Sequence, residues 1–161
     1  MLSNIKKRTE GFTIIEVLIV LAIAGLILLI VFLAVPALQR TSRNTQRKND
    51  VAAILGAAGE YINNNGGALP VASGAFNTEF VNANPKLGFY TTAANVQYSY
   101  SATARGSVPT PAAGNDTVTV YNYLKCADAK TATTTGASAR SMAALYNVES
   151  TGGDQAQCQE S

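Results

Sequence analysis

Between residues 17 and 38 the chain carries 22 consecutive residues without a charged or hydrogen-bonding side chain, with Glu16 just upstream and Arg40 the next charge downstream. At about 1.5 Å of rise per residue, such a run makes a helix of roughly 33 Å, enough to cross a hydrocarbon core of about 30 Å. A soluble domain of 161 residues has no interior that long and uniformly apolar, so a membrane span is expected rather than a buried core helix. An ordinary secretory signal would carry a shorter apolar region, roughly 7–15 residues, followed by a small-x-small cleavage site. Here Arg40, Arg43, Arg47 and Lys48 follow instead. With Lys6, Lys7 and Arg8 on the amino side, the flanking charge is close to balanced and does not by itself set orientation.

Composition argues against catalysis. The chain has no histidine, which removes imidazole-based nucleophile pairs and His-ligated zinc. Its two cysteines cannot make a four-cysteine zinc site, and a net charge of +2 does not announce a nucleic-acid binder. The acids Glu60, Glu79, Asp116, Asp128, Glu149 and Asp154 are scattered, with no spacing that suggests acid/base work. Asp128 or Asp154 could help hold calcium, but no spaced series of oxygen ligands accompanies them, and no metal or cofactor is expected. Gly66-Gly67 and Gly152-Gly153 lack the context of a phosphate-binding loop.

The most informative stretch is Lys6-Lys7-Arg8-Thr9-Glu10-Gly11-Phe12-Thr13-Ile14-Ile15-Glu16, which runs directly into the apolar segment. A carboxylate in hydrocarbon costs several kcal/mol, so Glu16 is a functional candidate in its own right. Its alternative is a helix-start residue at headgroup level. The basic leader, the glycine, the phenylalanine and the lone glutamate resemble, in order and spacing, the type IV pilin family, which includes the pseudopilins of type II secretion. The strict match covers about the first 30 residues; beyond that the likeness is architectural. The resemblance implies that a prepilin peptidase cuts between Gly11 and Phe12 and that Phe12 becomes the N-methylated amino terminus. Phe12 and Glu16 are then an i, i+4 pair. The same resemblance implies that Glu16 meets the amine of a neighbouring subunit, neutralising both charges in a filament core. Gly25 stands where many pilins have a helix glycine, whereas Pro36 comes a few residues later than is typical. Because proline removes a backbone donor, a kink or extensible segment is expected just before Pro36.

After Pro36 the pattern turns amphipathic. Val51, Ile54, Leu55, Ala58 and Ile62 repeat on one helical face, and Arg40, Arg43 and Arg47 on another. Asn63-Asn64-Asn65-Gly66-Gly67 is a stop signal. A helix over residues 12–63 would be roughly 78 Å long, which makes sense if its first half is buried in a membrane or among other subunits. The arginines would then face lipid phosphates or neighbouring subunits; no aromatics interleave with them as a single-strand surface would require. Residues 64–95 read as a loop-rich connection with Pro70 and Pro85. Segments 96–100, 117–124 and 141–148 read as strands, the last with Met142, Ala144, Tyr146 and Val148 on one face. Short connections predict an antiparallel sheet on the second half of the helix. Tyr98, Tyr100, Tyr121, Tyr123 and Tyr146 read as sheet packing rather than as a ligand platform.

Cys126 and Cys158 stand in a head that the resemblance places outside the cytoplasm, where a disulfide is expected; two reduced, buried thiols are the alternative. In type IV pilins such a bond commonly closes the carboxyl-terminal region, and here it would contribute roughly 3–4 kcal/mol in the chain-entropy model. The expected fold is therefore α+β: a leader over 1–11, a transmembrane and assembly helix over 12–38, its amphipathic continuation over 39–63, and a head over 64–161. Losing Lys6, Lys7, Arg8 and Glu10 with the leader leaves nine positive and nine negative side chains. Such a neutral head suits a subunit surrounded by copies of itself. The resemblance implies a non-enzymatic pilus subunit, inserted in the inner membrane as a precursor and then carried into a surface filament. Its partners would be other copies of itself, prepilin peptidase, and an assembly platform with ATPases. Adhesion, twitching motility or DNA uptake would be the filament's task, nucleic acid entering only as its cargo. A pseudopilin is the alternative, and a signal-anchored binding module the third reading.

Overall fold

The computed structural model of the chain describes residues 11–82, 84, 86–92, 94–110, 114 and 116–161. The leader's charged cluster, Lys6, Lys7, Arg8 and Glu10, lies outside the described residues, as do Pro85, Pro111 and Asn115. A long helix, α1 (Ile14–Asn64), is followed by a short helix, α2 (Ser73–Phe76), which continues as a wide π-type turn over Asn77–Asn82. Six strands complete the fold: β1 (Val96–Ser99), β2 (Val118–Asn122), β3 (Lys125–Cys126), β4 (Ala132–Thr133), β5 (Met142–Val148) and β6 (Gln155–Glu160). The chain divides into two compact units, Met1–Gln39 and Arg40–Ser161.

In the first unit every described residue is exposed, and α1 contains an 18-residue window of mean hydropathy 3.4. By length and composition this helix can cross a membrane. The helix assignment runs unbroken through Gly25 and Pro36. At its far end α1 stops where the sequence signals it. Gly66 and Gly67 adopt φ of +64° and +91°, and the Gly67 N–H donates to the Ile62 carbonyl at 2.7 Å. The positive φ of Gly67 is what favours glycine at this position; the exposed Arg140 guanidinium that lies over it is the far end of a flexible side chain.

In the second unit the predicted stripe is buried: Val51, Ile54, Leu55, Ala58 and Ile62 form a core with Val96, Tyr98, Val118, Val120, Met142, Ala144, Tyr146 and Val148. The four-stranded sheet has the order β1-β2-β5-β6, and β3–β4 form a separate two-stranded ribbon. The β2–β5 and β5–β6 pairs are antiparallel as expected, but β1 and β2 are parallel, in register Val96↔Val118 to Ser99↔Tyr121. The sheet is thus mixed. Residues 100–117 between those strands are long enough for the crossover that a parallel pair needs. That crossover is pinned at both ends. At one, Asn95 donates to the Asp116 carbonyl at 2.8 Å and accepts on its own carbonyl the Val118 N–H at 2.8 Å. At the other, fully buried Asn122 exchanges two hydrogen bonds with the Ser101 backbone, at 2.8 and 2.7 Å. Arg105 donates to the Asn122 and Ser99 carbonyls while its guanidinium lies 4.9 Å from the Tyr121 ring centre.

Both faces of β2 and β5 are covered, because Tyr121, Leu124, Ala143, Leu145 and Cys158 form a second cluster on the face away from α1. Of the five tyrosines read as packing residues, Tyr98, Tyr121 and Tyr146 are buried, whereas Tyr100 is 40% exposed and Tyr123 turns the chain at φ 55°. Burial pushes the Tyr98 and Tyr146 phenols up to about 12. The region read as loop-rich holds α2 and the π-type turn, whose Phe76 stacks on Tyr98 at 4.3 Å between ring centres.

Two polar contacts fasten α1 to the rest of the head. Asp50, fully buried, accepts the backbone N–H groups of Gly88, Phe89 and Tyr90 at 3.1, 2.6 and 2.8 Å, and the Gln46 amide at 2.8 Å. Glu149, just after β5, pairs with Arg43 (2.9 and 2.5 Å) and with Arg47 (2.9 Å). Asn44 donates to its carbonyl (2.8 Å) and accepts its N–H (2.9 Å). Arg47 is only 2% exposed, its guanidinium 4.2 Å from the Phe89 ring centre, so it does not present itself to lipid or to a neighbour. A long-range acid 106 residues away from Arg43 reverses that expectation, and no local spacing announces it.

The Arg43 hydrogen bond holds the Glu149 carboxyl well below the usual carboxylate range, at about 2. A depressed folded-state value means that the stabilisation is complete above the unfolded value near 4.5 and is lost as pH falls toward 2. The head's melting temperature should therefore fall between pH 5 and 2, followed by near-ultraviolet circular dichroism. Glu149→Gln should flatten that dependence and lower the melting temperature at neutral pH, because buried Arg47 then keeps only the Asn44 amide oxygen and the more distant Asp116.

Candidate processing and assembly site

The first turn of α1 is set by a reciprocal pair of side chains. Ile14 is the first helical residue, which makes Thr13 the N-cap and Glu16 the third residue of the helix. The Glu16 N–H donates to the Thr13 hydroxyl at 3.4 Å, and the Glu16 carboxylate accepts the Thr13 N–H at 2.9 Å and its O–H at 2.7 Å. This is a capping box: each residue satisfies a backbone donor of the other that the helix itself leaves open. Phe12 and Val17 hold the flanking positions of a hydrophobic staple and, with Glu16, Val20 and Leu21, line one open groove.

Three consequences follow for the residues singled out in the sequence. First, the Gly11–Phe12 peptide lies outside the helix, upstream of the cap, and both residues are exposed. Second, Glu16 is tied to Thr13 rather than standing alone on the helix surface. The helix-start reading and the functional reading therefore describe one carboxylate, held at the helix end whose dipole favours negative charge. Third, the signal that would have found Thr13 is the spacing Thr-x-x-Glu before an apolar run. Gly25 and Pro36 lie within α1 and do not join this cluster.

Cys126 and Cys158 belong to the other unit and are bonded to each other, with 5.7 Å between their Cα atoms. Asp128, beside that bridge, accepts the backbone N–H groups of Lys130 and Thr131, both at 2.7 Å, which hold its carboxyl below its ordinary value. It is committed to a turn. Among the described residues no three His, Cys, Asp or Glu side chains come together as a metal would need.

Residues 6–32 match a family model described as the prokaryotic N-terminal methylation motif, which is the signature of type IV prepilins. Comparison with curated proteins and with solved structures gives no match. The match is confined to residues 6–32 and supports a precursor similar to pilins and pseudopilins, a class processed by prepilin peptidase. With the apolar helix, it fits a membrane-anchored precursor.

Thr13→Val keeps the side chain's volume but removes the cap, and should cost about 1 kcal/mol of local helix stability. Hydrogen exchange in detergent micelles should then report faster exchange at residues 15–18, and Thr13→Ser should restore protection.

Proposed function

We propose that this bearer of the prepilin signature is cut between Gly11 and Phe12, N-methylated on Phe12, and polymerised through its apolar helix into a type IV pilus on the cell surface. The observation that carries the reading is the junction itself, where an exposed glycine–phenylalanine peptide stands immediately before a capped, apolar helix whose first acid is Glu16. In the filament, the helices of neighbouring copies replace lipid around residues 17–38. Glu16 then exchanges part of its Thr13 pairing for the methylated ammonium of an adjacent Phe12, so that two charges enter the apolar centre as a neutral pair. Pro36, which supplies no N–H to the preceding turn, and Gly25 give the helix the places at which it bends or extends on packing.

The Cys126–Cys158 bridge supports export of the head to an oxidising compartment. It also favours a surface pilus over the short pseudopilin filament of a secretion machine, a reading in which the same processing and the same helix would serve a piston. Assembly draws on a membrane platform and cytoplasmic ATPases, and the filament serves adhesion, motility or DNA uptake.

Intact-mass spectrometry of material sheared from the surface of the native host tests the proposal. A mass starting at Phe12 with one added methyl, rising by two protons on reduction, is the expected result. A processed chain found only in membranes would turn the assignment to a pseudopilin, and an uncut chain in cells with active prepilin peptidase would sink both. Glu16→Leu should still insert in the membrane yet lower filament yield at least tenfold, the equivalent of losing about 1.4 kcal/mol per subunit contact.

A further inference from the structure

Of the chain's asparagines, only Asn65 stands before a glycine. The pair follows the last residue of α1, both residues are exposed, and Gly66 takes a φ of +64°. The neighbouring backbone donors are satisfied: the Asn65 N–H donates to the Tyr61 carbonyl at 2.9 Å, the Gly67 N–H to Ile62 at 2.7 Å, and the Ala68 N–H to Asn65 at 3.1 Å. The Gly66 N–H has no acceptor among the described residues. A Cβ built on Gly66 would meet nothing within 4 Å, so nothing crowds the backbone there. The Asn65 side chain is held by one exposed bond, from Nδ2 to the Tyr61 carbonyl at 2.9 Å, at a helix end of the kind that frays. Asn63 and Asn64, by contrast, lie within α1 and precede residues that carry side chains.

We propose that Asn65 is a site of spontaneous deamidation, and that the carboxylate it gains loosens the last turn of α1. The Gly66 N–H gives its proton to solvent base, and the freed nitrogen bonds to Asn65 Cγ. The Cγ–Nδ2 bond breaks, and the departing nitrogen takes a proton from water and leaves as ammonia. Water then opens the cyclic imide at either of its carbonyls, giving aspartate or isoaspartate with no change of oxidation state. Glycine suits the step because it has no Cβ to obstruct its own nitrogen. The new charge falls at the helix end where the macrodipole is already negative. It also joins Glu60 and Glu79, which line one open groove with Asn64 and Asn65 and form no ion pair among the described residues. Against this stands the Arg140 guanidinium over Gly67, which is exposed and therefore a weak, screened attraction. None of this depends on cleavage at Gly11 or on polymerisation.

Incubation of the full chain in detergent micelles at mildly alkaline pH, followed by proteolysis and peptide mass spectrometry, tests the site. The peptide carrying Asn65 should gain the mass difference between –NH2 and –OH, ahead of every other asparagine-bearing peptide, and should resolve into aspartate and isoaspartate forms. Asn65→Gln, which keeps an amide but lengthens the ring to be closed, should lose that early gain. No gain at Asn65, or a gain no faster there than at the other asparagines, would overturn the proposal. The loosening is read separately by hydrogen exchange on Asn65→Asp. Amides of residues 61–65 should exchange about two- to fivefold faster than in the native chain, with the difference shrinking at high salt. Asn65→Ala removes the same bond to Tyr61 without adding charge and should loosen the turn less. Equal exchange in the aspartate and alanine variants, or protection gained in the former through Arg140, would defeat the second half of the proposal.

Discussion

The packing of residues 51–62 of α1 against the inner face of the sheet is the contact from which the rest of the head takes its place. Val51, Ile54, Leu55, Ala58 and Ile62 bring one helical stripe onto strands far away in sequence, and burial of that surface is the main favourable term in closing such long loops. Apolar packing alone would let the helix slide or rotate on its sheet. Directional contacts remove that freedom: Asp50 gathers three consecutive backbone N–H groups of the loop at residues 88–90, and Glu149 grips one turn of the helix. These carboxylates act as anchors of geometry, each satisfied on several sides, which is what a buried charge requires.

Most of this architecture is legible in the sequence because it rests on local periodicity. The helix stripe, the Met142–Ala144–Tyr146–Val148 face of β5 and the stop at Gly66-Gly67 are patterns of spacing, and each stands where spacing puts it. What escapes is what depends on remote partners. Nothing near Arg47 says that Glu149 will bury it, and Asp50 is an ordinary acid until Gly88, Phe89 and Tyr90 converge on it. The direction of β1 is a property of the crossover over residues 100–117, whose pins at Asn95 and Asn122 are invisible as a pattern. β6 alternates glutamine with small residues, a poor strand signal, and becomes a strand because β5 offers an edge to pair with.

At the processing junction the residues that resemble a family motif were legible, and the physical reason for one of them was less so. Glu16 draws notice as a charge before hydrocarbon, but its partner Thr13 is noticed only once the helix start is fixed to the residue. The capping box gives that carboxylate a role at the helix start itself. Its bonds to Thr13 are local, exposed and individually modest.

The crossover that makes β1 and β2 parallel leaves a further mark on how such a head can diversify. Asn95 with Asp116 closes one end of it, Ser101 and Arg105 with Asn122 close the other, and Asn147 of β5 donates to the Gly114 carbonyl in between. Doubling a flexible loop costs only about 0.6 kcal/mol in closure entropy, so an insertion that displaces none of these contacts carries little penalty to the framework. Away from those contacts, the surface character of this stretch can change while the sheet keeps its register.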